Sequence, residues 1–188
     1  PPRSTPLYSS AASDVYKRQV LAAVLAGHEV AVRVASALGP GHYASGFHCT
    51  GTCNTIGAAA AAARVMGLNC DGVVGALGHA GGAAAGLRQY QETGSMTDSA
   101  LNGGRAAQTG VTSALLSKHG LSGPSEILGG RWGVCRMFSE TPDLTRLDAA
   151  LGDEWVFRAT SLKPYPTCRY THAPSSRLGI LKIYYSTF

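Results

Sequence analysis

The sequence predicts a mainly α protein, an all-helical bundle that ends in a strand. Three observations lead there. Alanine is abundant and there are 24 glycines, while aromatic residues make up only 7%, a composition suited to closely packed helices rather than to a β-sandwich. Apolar residues recur at helical spacing in several stretches. Those stretches are closed by Gly or Gly-Pro, the usual stop signals of helices. At 188 residues and 45% hydrophobic, the chain is long and apolar enough for one domain with a real core.

Residues 1–19 show no apolar periodicity and are expected to be a non-native or disordered tail. Residues 20–38 form the first predicted helix, with Leu21, Val24, Leu25, Val32 and Val34 burying it on most sides. Glu29 and Arg33 make an i,i+4 pair, expected to add only a few tenths of a kcal/mol, about 0.3. Gly39-Pro40-Gly41 should end the helix. His42 stands in the connection that follows, where a histidine is more often a surface or capping residue, and it is assigned no role. A glycine-rich turn, Gly46 to Asn54, then opens onto an alanine-rich helix over 55–66, placing polar side chains and free N–H groups at a helix's positive end.

The next helix, 71–86, is capped by Asn69. Its glycines cost about 1 kcal/mol each against alanine, which makes sense if another helix crosses there closely. His79 on it should be a core or interface histidine. Residues 87–102 read as a polar loop. A long helix over 103–119 turns Ala106, Val111, Ala114 and Leu115 inward. Residues 121–139 read as a loop with a short helix near 125–128. Thr141-Pro142-Asp143 starts a helix whose apolar face is Leu144, Leu147 and Leu151. Residues 155–162 have the aromatic and β-branched character of a strand. The expected division is therefore a tail (1–19), a helical domain (20–154), the start of a further domain (155–172) and a disordered or out-of-frame tail (173–188).

The formal charge of +5 resides at the ends. Residues 20–172 hold 11 basic against 10 acidic residues, a net of +1. With no basic stripe interleaved with aromatics, nucleic-acid binding is not expected. No uninterrupted apolar run reaches about 18 residues, so no membrane span is expected. The five cysteines, odd in number and without a C-x-x-C pair, read as small buried thiols in a reducing, cytoplasmic setting, and no metal site is expected.

Four segments together resemble, in order, the MmgE/PrpD family: GFHCTGTCNTIGAAAAAARVMGLN, ALGHAGGAAAGL, GSMTDSALNGGRAAQTGVTSALLSKHGLSGP and LKPYPTCRYTH. The family includes 2-methylcitrate dehydratase and cis-aconitate decarboxylase. The resemblance covers residues 20–172 and implies part of the family's helical domain, leading through a strand into an α/β lid. It implies lyase chemistry on small di- and tricarboxylates without metal or cofactor, in propionate metabolism, in a homodimer when the protein is full length. By the same resemblance, His48 and Lys163 are the catalytic candidates, and Thr50, Arg105, Arg169 and His172 the substrate-binding ones.

The chain also departs from the pattern. Asp98 follows Met96-Thr97 where the family carries an active-site lysine, and Cys49 replaces a proline. The family's upstream aspartate and histidine motif would fall before residue 20. These departures predict that the chain is inactive alone. Alternatives of another class are a non-catalytic carboxylate-binding protein and a helical dimerisation module. Within the family, isomerase and decarboxylase activities share the same motifs.

Overall fold

The computed structural model describes residues 7–164, 168 and 172, with side chains from residue 14 onward except Met96. The chain divides into two compact units, residues 1–157 and 158–188. The described fold is helical: α1 (Leu7–Ala44), α2 (Cys49–Val65), α3 (Cys70–Gly82), α4 (Tyr90–Thr93), α5 (Met96–Lys118) and α6 (Val134–Met137), followed by 3-10 turns at Leu144–Leu147 and Val156–Ala159. Among the described residues the only β pairing is an isolated antiparallel bridge between Phe47 and Leu87.

The alanine-rich α2 lies at the centre, packed on α1, α3 and α5. Small residues make this possible. A Cβ at Gly57 would stand 2.5 Å from the Gly27 carbonyl oxygen of α1, and one at Gly110 of α5 would stand 2.6 Å from the Ala59 nitrogen. Helices that approach this closely exclude anything larger. The main core gathers Val34, Ala37, Leu38, Cys53, Ile56, Val134 and Cys135, and a smaller cluster joins Ala63, Ala76 and Ala114.

Several sequence expectations are corrected. α1 begins at Leu7, inside the stretch expected to be a tail, and Gly39 (φ 67°, ψ −175°) kinks it rather than ending it, with Pro40 opening a last turn to Ala44. Its early apolar face is not buried: Leu21, Val24 and Leu25 are exposed. α2 starts six residues before expectation and takes in most of the predicted turn. α5 likewise starts at Met96, inside the predicted loop, with Asp98 in its first turn; Val111 and Leu115 face outward. The short helix near 125–128 is instead α6, and Leu151 is exposed. On α3, what presses closest to Gly78 is the backbone at Gly123-Pro124, a loop rather than a helix.

The Glu29–Arg33 pair is the largest revision. Glu29 is 6% exposed and Arg33 3%. Arg33 Nε donates to Glu29 at 2.7 Å, and its guanidinium also donates to the carbonyls of Ala149 (2.9 Å) and Glu154 (3.1 Å). The two Glu29 carboxylate oxygens accept from the N–H groups of Val156 (3.1 Å) and Phe157 (3.0 Å). A pair expected to add only a few tenths of a kcal/mol thus ties α1 to residues 149–157. It also explains why the expected strand at 155–162 holds a 3-10 turn, since two of its N–H donors are taken by a carboxylate.

Residues Asp14–Ala44 of α1 are long and apolar enough to cross a membrane by length and composition, at a mean hydropathy of 1.5. This revises the expectation that no such segment exists. A third of its most apolar window is buried, and the buried Glu29–Arg33 pair within the helix bonds residues 149–157.

Candidate functional site

The site grows from the short turn between α1 and α2. Gly46 has φ 93°, a conformation that favours glycine, and the chain then runs extended for two residues. The Phe47–Leu87 bridge, with Arg88 N–H donating to Gly46 (2.9 Å) and His48 N–H to Gly86 (3.0 Å), docks this turn on residues 86–88. His48 is consequently the N-cap of α2, its backbone extended and its imidazole free of capping duty. Its carbonyl accepts from Gly51 and Thr52.

The ring of His48 is half-buried and meets Tyr90 edge-on at 5.3 Å. Asn102, 3% exposed on α5, sets its amide nitrogen 3.0 Å from His48 Nδ1. In that arrangement Nδ1 accepts, so Nε2 carries the hydrogen and can donate it outward. Burial pushes the His48 pKa below its ordinary value and the Arg88 charge adds to this, with Asp98 opposing both. The imidazole is therefore held neutral at pH 7. Arg88 itself stacks on the Tyr43 ring, 3.5 Å from the centroid, and donates to Tyr43 O and Gln91.

Alongside lies an open cleft of about 450 Å³, lined by Thr55, Asp98, Asn102, Arg105, Gln108 and Thr109 together with Ala83 and residues 85–87. Two of its lining residues, Gly86 and Asn102, are those that bond His48. Arg105 is exposed and pairs with Asp98 at 3.3 Å. Thr50 sits in the first turn of α2, half-buried, its methyl turned toward Gly103 of α5.

Of the residues singled out from sequence, His48, Thr50 and Arg105 thus come together on the facing ends of α2 and α5. Lys163, exposed, and His172, half-buried, belong to the unit of residues 158–188. Arg169 lies outside the described residues. Asn102, Arg88 and Tyr90 were missed. Asn102 could have been found, because it shares one helical face with Ala106, Thr109 and Ser113 once α5 is extended back to Met96.

Beneath the turn, His42 is fully buried rather than at the surface. Its Nδ1 lies 2.9 Å from the Phe138 carbonyl and its Nε2 2.8 Å from Thr52 Oγ1, and the ring stacks on Phe47 at 4.8 Å. Burial lowers its pKa. Cys49 and Cys53, one helical turn apart on α2, come up beside it, so that one ligand atom from each of the three residues lies within 4.8 Å of the others. The Cys53 thiol stabilises the Cys49 thiolate, bringing Cys49 down to about 7, while that contact and burial push Cys53 up. Cys49, Cys53, Cys70 and Cys135 are free thiols, and Cys70 and Cys168 are exposed.

A search of curated proteins found no match to the chain. Residues 7–147 match the family model described as the MmgE/PrpD N-terminal domain, a stretch that contains His48, Asn102 and Arg105 and covers well over half of the sequence. The chain belongs to the MmgE/PrpD family.

Proposed function

We propose that the chain contributes the helical, substrate-binding part of a cofactor-independent lyase that eliminates water next to a carboxylate, in the manner of 2-methylcitrate dehydratase. The observation that supports this most is the neutral His48 fixed by Asn102 beside a cleft that presents Arg105. Removing a proton next to a carboxylate builds charge on that carboxylate, and a preorganised N–H donor stabilises it. His48 Nε2–H is such a donor. Arg105 and Thr50 supply contacts to a second carboxylate. Lys163 is the further catalytic candidate, as the cation of the KPYP segment, with Arg169 and His172 behind it. The hydroxyl leaves as water once a general acid protonates it. In this reading the full-length protein is a cytoplasmic homodimer.

The test is thermal stabilisation of the full-length protein that contains this chain by citrate and 2-methylcitrate, followed by absorbance of the unsaturated acid formed. Stabilisation that weakens in His48→Ala and Lys163→Ala, with turnover, supports the lyase. No shift with any of these anions overturns it. The second reading, a carboxylate-binding protein without catalysis, is favoured by Asp98, whose charge neutralises Arg105; it predicts stabilisation without turnover. A dimerisation module predicts neither. Isomerisation or decarboxylation of the same acids would show as product identity.

A further inference from the structure

We propose that His42, Cys49 and Cys53 form a binding site for one thiophilic metal ion of the zinc type. Their ligand atoms already lie within 4.8 Å of one another. A tetrahedral zinc site, with bonds of about 2.3 Å to sulfur and about 2.0 Å to nitrogen, sets ligand atoms roughly 3.5 to 3.8 Å apart. A contraction of about 1 Å closes the site, and thiol side-chain rotation on α2 can supply it.

The histidine is prepared for this. A carbonyl oxygen can only accept, so the contact to Phe138 O means that Nδ1 carries the hydrogen. Nε2 then presents its lone pair toward Thr52, whose hydroxyl also lies 3.7 Å from Cys53 Sγ. An imidazole that binds through one nitrogen and donates from the other to a backbone carbonyl is the usual arrangement of a metal-ligating histidine. Stacking on Phe47 and on Phe138 fixes the plane of the ring. Thr52 Oγ1 is the atom that a metal would displace from Nε2, and its second acceptor, the His48 carbonyl at 3.3 Å, keeps it bonded when it turns away.

Two thiolates balance a divalent charge, so the occupied site is neutral in a largely buried place. Binding breaks two S–H bonds, forms two metal–sulfur and one metal–nitrogen bond, and releases two protons to solvent. Cys49 is only half-buried, whereas His42 and Cys53 are buried, so the fourth coordination position opens on the Cys49 side, for water or an exchangeable ligand.

The experiment titrates cobalt(II) into the full, reduced, chelator-treated chain and follows near-ultraviolet thiolate-to-cobalt absorbance. The expected result is a band that saturates at one ion per chain and is erased by zinc(II). It should be lost in Cys49→Ser and in Cys53→Ser but retained in Cys70→Ser, an exposed thiol elsewhere. Cys53 is buried and its variant can lose the fold, so Cys49→Ser, checked for unchanged helical circular dichroism, is the deciding variant. No band at one equivalent, or a band unchanged in a folded Cys49→Ser, overturns the proposal.

Discussion

Replacing Glu29 by alanine is expected to be the most damaging single change outside the apolar core. The carboxylate is 6% exposed and accepts three hydrogen bonds, from Arg33 Nε at 2.7 Å and from the N–H groups of Val156 and Phe157 at 3.1 and 3.0 Å. Its loss leaves two backbone donors unpaired and a 3% exposed guanidinium without its counter-charge. Removing one partner of a buried pair costs about 3–5 kcal/mol. The two carbonyls that Arg33 retains, Ala149 and Glu154, favour the lower end of that range. Glu29→Gln keeps an acceptor oxygen and should lose less, about 1–3 kcal/mol.

Urea unfolding at pH 7 gives the size of the effect, provided that the slope is unchanged, and amide exchange at Val156 and Phe157 gives its place. Burial alone would raise the Glu29 pKa, but the hydrogen bonds from Phe157, Arg33 and Val156 outweigh it and bring it below its ordinary 4.5. A carboxyl depressed in the folded state stabilises the protein above the unfolded pKa, and that contribution fades as pH falls through the folded one. The gap between wild type and Glu29→Gln should therefore narrow below about pH 4.5. An alanine variant within about 0.5 kcal/mol of wild type, with Val156 and Phe157 amides as protected as before, would refute the reasoning.

Four further outcomes are expected. Gly57→Ala, whose Cβ would stand 2.5 Å from Gly27 O and 2.8 Å from Ala31 Cβ, should cost about 1–3 kcal/mol in unfolding experiments by forcing α1 and α2 apart. Gly104→Ala on exposed α5, with nothing within 4 Å, should instead stabilise by about 0.5–1 kcal/mol through helix propensity. Asn102→Ala should release the His48 tautomer, read as a shift of its ring nitrogen resonances from an Nε2–H pattern toward a mixture, while a purely structural Asn102 would leave that pattern in place. Asp98→Asn should tighten citrate binding several-fold at low salt, on the order of 1 kcal/mol for one charge removed near an exposed site, with the gain shrinking as salt rises.

The four long helices were legible because apolar spacing and glycine stops mark them whatever the tertiary context. The starts of α1, α2 and α5 were not. Cys49 to Asn54 reads as a polar turn, yet Thr55 satisfies its hydroxyl on the Gly51 carbonyl one turn back and Thr52 bonds His42, so hydroxyls that resemble turn signals are buried inside α2. Glu29 and Arg33 show their i,i+4 spacing in the sequence, but not that residues 149–157, more than a hundred positions later, close over them. The same contact removed the strand expected after Trp155. For the candidate site, the motif resemblance pointed to His48, Thr50 and Arg105. Asn102 escaped because a polar residue declares itself only when the register of its helix is known.

Asp98 is where the catalytic and non-catalytic readings part, and its placement weakens the case against catalysis. In sequence it is an acid where a polycarboxylate needs a cation. In the fold it lies in the first turn of α5, where a negative charge complements the helix dipole, so it has a structural reason to be there. Its pairing with Arg105 is open to water, with side chains 40% and 64% exposed, and such pairs are worth at most about 1 kcal/mol. A ligand with two or three carboxylates can take Arg105 over at small cost. What it cannot do is silence Asp98, whose charge stays at the edge of the cleft. Within residues 1–157 the cleft therefore offers an anion one contested cation, with the neutral His48 held beside it by Asn102. That is enough to orient a carboxylate and too little to hold a tricarboxylate tightly. Firm binding of such a ligand therefore requires a further cation.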